Sequence, residues 1–200
     1  MKKWQALFLI SFFSLFPLHA QESQAAEKSA PLAKLHRVEF SVAGVRSLAR
    51  LQDGGGHIQL SHQDGFSGRA LVALSPWFSL GAQGEWLNKE KDIPAVAAYK
   101  VHRYGAVLKF TLTPDTQPQV YLLAGAGKTK REFEYSYPLH ETSSTGYVLA
   151  AVGVEAAVWR GVFVAAEGSA LYNKHAHYGN FFKLTHRVEP QISIRAGIKF

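Results

Sequence analysis

From Arg37 onward the chain alternates apolar and polar side chains with a period of two, the spacing of a β-strand whose successive residues face opposite ways. In Phe78–Asn88, Phe78, Leu80, Ala82, Gly84 and Trp86 fall on one face, and Ser79, Gly81, Gln83 and Glu85 on the other. In Tyr99–Leu112, Tyr104, Ala106, Leu108, Phe110 and Leu112 oppose Arg103, Gly105, Val107, Lys109 and Thr111. In Gly146–Val158, Val148, Ala150, Val152, Val154, Ala156 and Val158 oppose Leu149, Ala151, Gly153 and Glu155. The last residues repeat the theme, with Ile192, Ile194, Ala196 and Ile198 opposite Gln191, Ser193, Arg195, Gly197 and Lys199. The pattern predicts eight strands: Arg37–Leu51, Gly68–Ser75, Phe78–Asn88, Tyr99–Leu112, Gln119–Glu132, Gly146–Val158, Val162–Tyr172 and Val188–Phe200.

Their connections alternate in length. Ser75-Pro76-Trp77, Thr113 through Pro118 and Trp159-Arg160-Gly161 are short turns, whereas Gln52–Ser67, Lys89–Ala98, Phe133–Thr145 and Asn173–Arg187 are longer and polar. A strand structure in lipid must close on itself, because lipid satisfies no backbone group. The expected fold is therefore an all-β, eight-stranded antiparallel up-and-down transmembrane barrel, with short periplasmic turns and longer extracellular loops. A soluble barrel would invert the faces, with Leu and Val inside. The crowding of Gly and Ala onto the charged face suits a narrow lumen and favours the membrane. Phe40, Trp77, Phe78, Trp86, Tyr104, Tyr147, Trp159, Tyr172 and Phe200 lie near strand ends and are expected to form interfacial girdles.

The start of the chain reads as an export signal. Lys2 and Lys3 precede an apolar stretch from Ala6 to Leu18, and Leu18-His19-Ala20 is a small-residue cleavage site. That stretch is shorter than the roughly 20 residues of a spanning helix. The expected organisation is a signal peptide over 1–20, a polar periplasmic leader over 21–35 and a barrel over 36–200. Cysteine is absent, which excludes a disulfide framework, a thiolate nucleophile and a cysteine metal site. Net charge is +7, or +5 once Lys2 and Lys3 are removed. The excess is spread through the strands, so nucleic acid is not expected as a partner, while anionic lipid groups are.

Pro76-Trp77-Phe78-Ser79-Leu80-Gly81, the run Val120 to Gly127, Gly153-Val154-Glu155 leading to Trp159-Arg160-Gly161, and terminal Ile198-Lys199-Phe200 together resemble small bacterial outer-membrane barrels. These are the outer membrane protein A/X and opacity-protein superfamily. The resemblance implies a monomer in the outer membrane and recognition of Phe200 by the barrel assembly machinery. Nothing resembling a peptidoglycan-binding domain accompanies the barrel.

With the faces so assigned, the lumen collects Glu39, Glu85, Glu155 and Glu167 with Arg69, Arg103, Lys109, Arg195 and Lys199. Eight strands leave an interior just wide enough for side chains, so these charges are expected to pair into a plug rather than line a pore. Basic residues assigned to the outer rim, Arg131, Lys174, Lys183 and Arg187, are candidates for lipopolysaccharide phosphates through charge-assisted hydrogen bonds. His57, His62, His140, His175, His177 and His186 fall in or beside the long connections. His175-Ala176-His177 with His186 or Glu141 has no strict ligand spacing, so neither a metal nor a cofactor is expected. His177-Tyr178-Gly179-Asn180, with Glu189 downstream, is similar to the His-x-Ser-Asn motif and later Glu of lipid A deacylases. Gly179 stands where the nucleophile should be and has no hydroxyl. His140-Glu141-Thr142-Ser143-Ser144 reads as a polar loop. The sequence thus points to a non-enzymatic envelope or adhesion barrel acting through its loops on a surface or host ligand, with a lipid A hydrolase or a small pore as alternatives.

Overall fold

The computed structural model describes residues 38–200 apart from 54–58, 94–95, 136–137, 175–176, 179–181 and 185–186. Within strands, the side chains of 50–53, 59–61, 89–93, 96–97, 177–178 and 182–184 are also not described. The expected signal peptide and leader, His57, His175, His186, Gly179 and Asn180 lie outside the described residues.

Strands form where the alternation predicts them, and several run further. They are β1 (Val38–Asp53), β2 (Gln59–Ala73), β3 (Phe78–Ile93), β4 (Val96–Thr111), β5 (Gln119–Tyr135), β6 (His140–Trp159), β7 (Val162–Asn173), β8 (His177–Tyr178), β9 (Phe182–Leu184) and β10 (Val188–Lys199). The eight long strands pair antiparallel in sequence order, and β10 returns to β1 through Glu39↔Lys199 to Ser47↔Gln191. At the seam the Phe200 N–H donates to the Val38 carbonyl at 2.9 Å, which carries the ladder to the last residue. Following the register from Val38 through Val72, Leu80, Leu108, Ala124, Ala150, Ala170 and Pro190 returns to β1 beside Ser47, about ten residues along, the stagger of a closed barrel with tilted strands.

Three of the connections expected as long loops are mostly strand. Strands flank 54–58, 94–95 and 136–139 directly, so His62 and the run His140 to Ser144 sit on β2 and β6. The apolar–polar alternation fades there because both faces turn polar, as in Lys89-Glu90-Lys91-Asp92, while backbone pairing needs no apolar face. His62 has φ 60° and sits where the β1–β2 register shifts between Ser47 and Arg50, a bulge. The connection after β7 contains the β8–β9 hairpin, whose Phe182–Leu184 strand adds onto Leu51–Asp53 of β1.

Large apolar side chains cover the outside: Ile194 is 76% exposed and Val42 67%. The inside buries charges, with Arg131 at 1% and Arg195 at 2%. Tyr147 departs from the expected girdle. It shares its face with Leu149 and Ala151, is buried in the lumen and reaches over Gly127 of β5 into the space that Gly105 leaves on β4. Gly153 likewise leaves room for the Tyr121 ring, and Gly197 for Phe163. A side chain at either glycine would collide with an aromatic ring, so the small residues of the charged face set what a narrow interior can hold.

Candidate functional site: a filled lumen and a basic outer rim

Alternation aims every second side chain inward, and the register then decides which charges meet. The structure places all nine charges predicted for the lumen on the inward face. They form three levels. Nearest the short turns, the Lys109 ammonium donates to Glu39 at 2.8 Å and to Glu155 at 2.7 Å, and Lys199 pairs with Glu155. Lys109 also lies 4.7 Å from the Tyr121 ring centre, a cation–π contact. In the middle, Arg69 grips Glu167 through two hydrogen bonds of 2.9 and 3.0 Å, and Tyr121 donates to the same carboxylate at 3.0 Å. Two parallel bonds fix the guanidinium plane as well as its position.

The level nearest the long connections contains two residues the sequence reading placed elsewhere. Arg131, expected at the rim, is inside: it pairs with Glu189 and donates from Nε to the Tyr99 hydroxyl at 2.9 Å. Its position has the parity of Tyr121, Leu123 and Thr129, so the strand carries it inward. Glu189 is 1% exposed and takes Arg103, Arg131 and, at 2.9 Å, the Asn173 amide. Its carboxylate is therefore already occupied and is not poised to orient a histidine. Arg103 bridges Glu189 to Glu85, which also accepts from Gln191 at 2.9 Å. Stacked Tyr99 and Phe133, with ring centres 4.6 Å apart, lie on the same inward face. Buried apolar side chains of the same strands, Leu71, Val107, Leu123, Leu149, Phe163 and Leu171, pack among these charges.

A second set of charges points outward above the apolar belt. Cross-strand neighbours on β4 and β5 run Tyr104↔Lys128, His102↔Lys130 and Lys100↔Glu132. Lys130 pairs with Glu132 at 2.6 Å and Lys100 with Glu134 at 2.7 Å, whereas no carboxylate among the described residues pairs with Lys128. The hydrogen bond from Lys130 holds the Glu132 carboxyl below its usual range, against partial burial that acts the other way. Beneath this row lies a depression of about 750 Å³ on the lipid-facing surface, floored by Gly68, Ala70, Ala82 and Gly84 and walled by Phe40 and Tyr104. Of the residues expected to meet lipopolysaccharide, Lys174 and Arg187 are exposed, and Arg187 donates to the Tyr172 hydroxyl at 3.2 Å. Lys183 lies in β9, and its side chain is outside the described residues. Among the described residues no group of His, Asp and Glu is arranged to hold a metal ion. His177 and Tyr178 form β8, also without described side chains.

The geometry has known counterparts. The structure aligns with the attachment invasion locus protein Ail of Yersinia pestis at TM-score 0.54 and 13% identity, covering 83% of this chain and 100% of that one. Neisserial surface protein A aligns at TM-score 0.56 and 17% identity, over 81% and 97%. The N-terminal barrel domain of Pseudomonas aeruginosa OprF aligns at 0.53 and 12%, over 82% and 98%. At these identities the likeness is one of fold. No curated protein sequence matches. A family model matches residues 8–185, most of the chain, and on that match the protein belongs to the outer membrane protein beta-barrel domain family.

Proposed function

We propose that this protein is a non-conducting, non-enzymatic envelope barrel that works through its outward face and outer rim. The observation that carries this is the filled lumen: three levels of paired charges, with buried apolar side chains among them, occupy the space a permeant ion would need. An open aqueous channel takes about twice as many strands. The candidate deacylase constellation is not supported, since Gly179 offers no nucleophile and Glu189 is engaged inside the barrel.

On the outside, the row of Lys128, Lys130 and His102 stands directly above the apolar belt, where the phosphates of an outer-leaflet glycolipid would lie. The depression below it offers a place for one acyl chain of the same lipid. Lipopolysaccharide is thus the proposed partner, held by β4 and β5 instead of by Arg131. The test is co-purification from phosphatidylcholine vesicles that contain bisphosphorylated lipid A. Retained lipid A should fall in the Lys128→Ala/Lys130→Ala double variant. Filling the depression with Gly68→Leu, at a position where an added Cβ meets nothing within 4 Å, should lower it without unfolding the barrel. Retention unchanged in both variants would remove the lipid-binding reading and leave only the closed scaffold.

A further inference from the structure

Among the described residues, one buried cation of the lumen, Arg195, has no carboxylate within ion-pair distance. Each buried acid among the described residues is already taken: Glu39 and Glu155 by Lys109 and Lys199, Glu167 by Arg69 and Tyr121, and Glu85 and Glu189 by Arg103 and Arg131. Arg195, 2% exposed, reaches only two serine hydroxyls, Ser41 at 3.2 Å from Nη1 and Ser67 at 3.0 Å from Nη2. Its Nε–H meets no acceptor. Each serine oxygen that accepts from the guanidinium keeps its own hydrogen free to donate. The Arg195 Nε–H and the two hydroxyl hydrogens are therefore donors for which no acceptor is seen among the described residues. Arginine does not shed its proton in a protein, so it cannot escape the cost of burial by neutralising. Its cross-strand neighbours, Ala43 and Ala165, are small and offer it no acceptor.

We propose that Arg195, Ser41 and Ser67 hold a small monovalent inorganic anion, of the halide class, inside the barrel. The anion accepts from the guanidinium and from both hydroxyls and balances a charge that the protein leaves uncompensated.

Bromide is the probe. Crystals of the refolded protein grown in sodium bromide should show an anomalous peak within hydrogen-bond distance of Arg195 and the two serines. In solution, the urea midpoint of detergent-refolded protein should rise and saturate as bromide replaces gluconate at fixed ionic strength. Ser41→Ala/Ser67→Ala should shift that saturation to several-fold higher bromide, and Arg195→Met should abolish the dependence. If Arg195→Met fails to fold, the anomalous map and the serine variant still decide. Density at the site without anomalous signal, meaning water, or midpoints identical in bromide and gluconate would overturn the proposal.

Discussion

Lys130 and Arg131 are adjacent in sequence, equal in charge and opposite in circumstance. Lys130 faces outward, half exposed, and holds Glu132 across open solvent. Arg131 faces inward at 1% exposure and is bound to Glu189 and Tyr99. In a strand a shift of one residue exchanges the faces completely, so parity, and not residue type, decides which cations hold the barrel and which meet its surroundings. The energetic consequence is large. A screened surface pair contributes about 0–1 kcal/mol, whereas removing one partner of a buried pair leaves a stranded charge and costs roughly 3–5 kcal/mol.

The sharpest way to break that contrast is at Glu189, on which Arg103 and Arg131 both depend. Glu189→Ala should lower stability to urea by roughly 3–5 kcal/mol, as read from the heat-shifted electrophoretic band of refolded protein. A change below about 1 kcal/mol, the range of a surface pair, would show that the lumen is wetter than its packing implies. Arg131→Met removes one cation but leaves Glu189 with Arg103, so a smaller loss is expected. Lys130→Ala, next door, should change stability by no more than about 1 kcal/mol. Equal losses at 130 and 131 would contradict the two-face assignment. Phe200→Ala should slow membrane assembly in cells while refolding in detergent proceeds normally. That separates recognition of the terminal aromatic from its place in the ladder. The smallest effect is expected at Lys128: loss of one near-surface cation weakens attraction to anionic lipid by about 1 kcal/mol, and raised salt should erase the difference.

The same parity explains what could be read from the sequence. The inward positions of Glu85, Arg103, Glu155 and Arg195 follow from alternation alone, because each lies in the middle of a clearly two-faced segment. Arg131 and Glu189 lie inside the predicted strands but one residue from their ends, where both faces turn polar and hydropathy no longer tells inside from outside. Counting in twos from Tyr121 or back from Arg195 would have placed both inside. Partnership was not legible. Lys109 meets Glu39 and Glu155 across 70 and 46 residues of chain, and only the stagger of the closed barrel brings them together. The unpaired state of Arg195 was hidden for the same reason. The outward row of Lys128, Lys130 and His102 was obscured because β4 and β5 had been expected to end near it, and its coherence depends on the cross-strand register.

Whether the paired charges close the barrel can be asked directly by planar-bilayer recording of the refolded mature protein. A lumen filled by ion pairs predicts no discrete conductance steps over a wide range of voltage. Regular single-channel steps in the unmodified protein, altered by Glu155→Ala or Arg103→Met, would show that the network gates a path instead of plugging it.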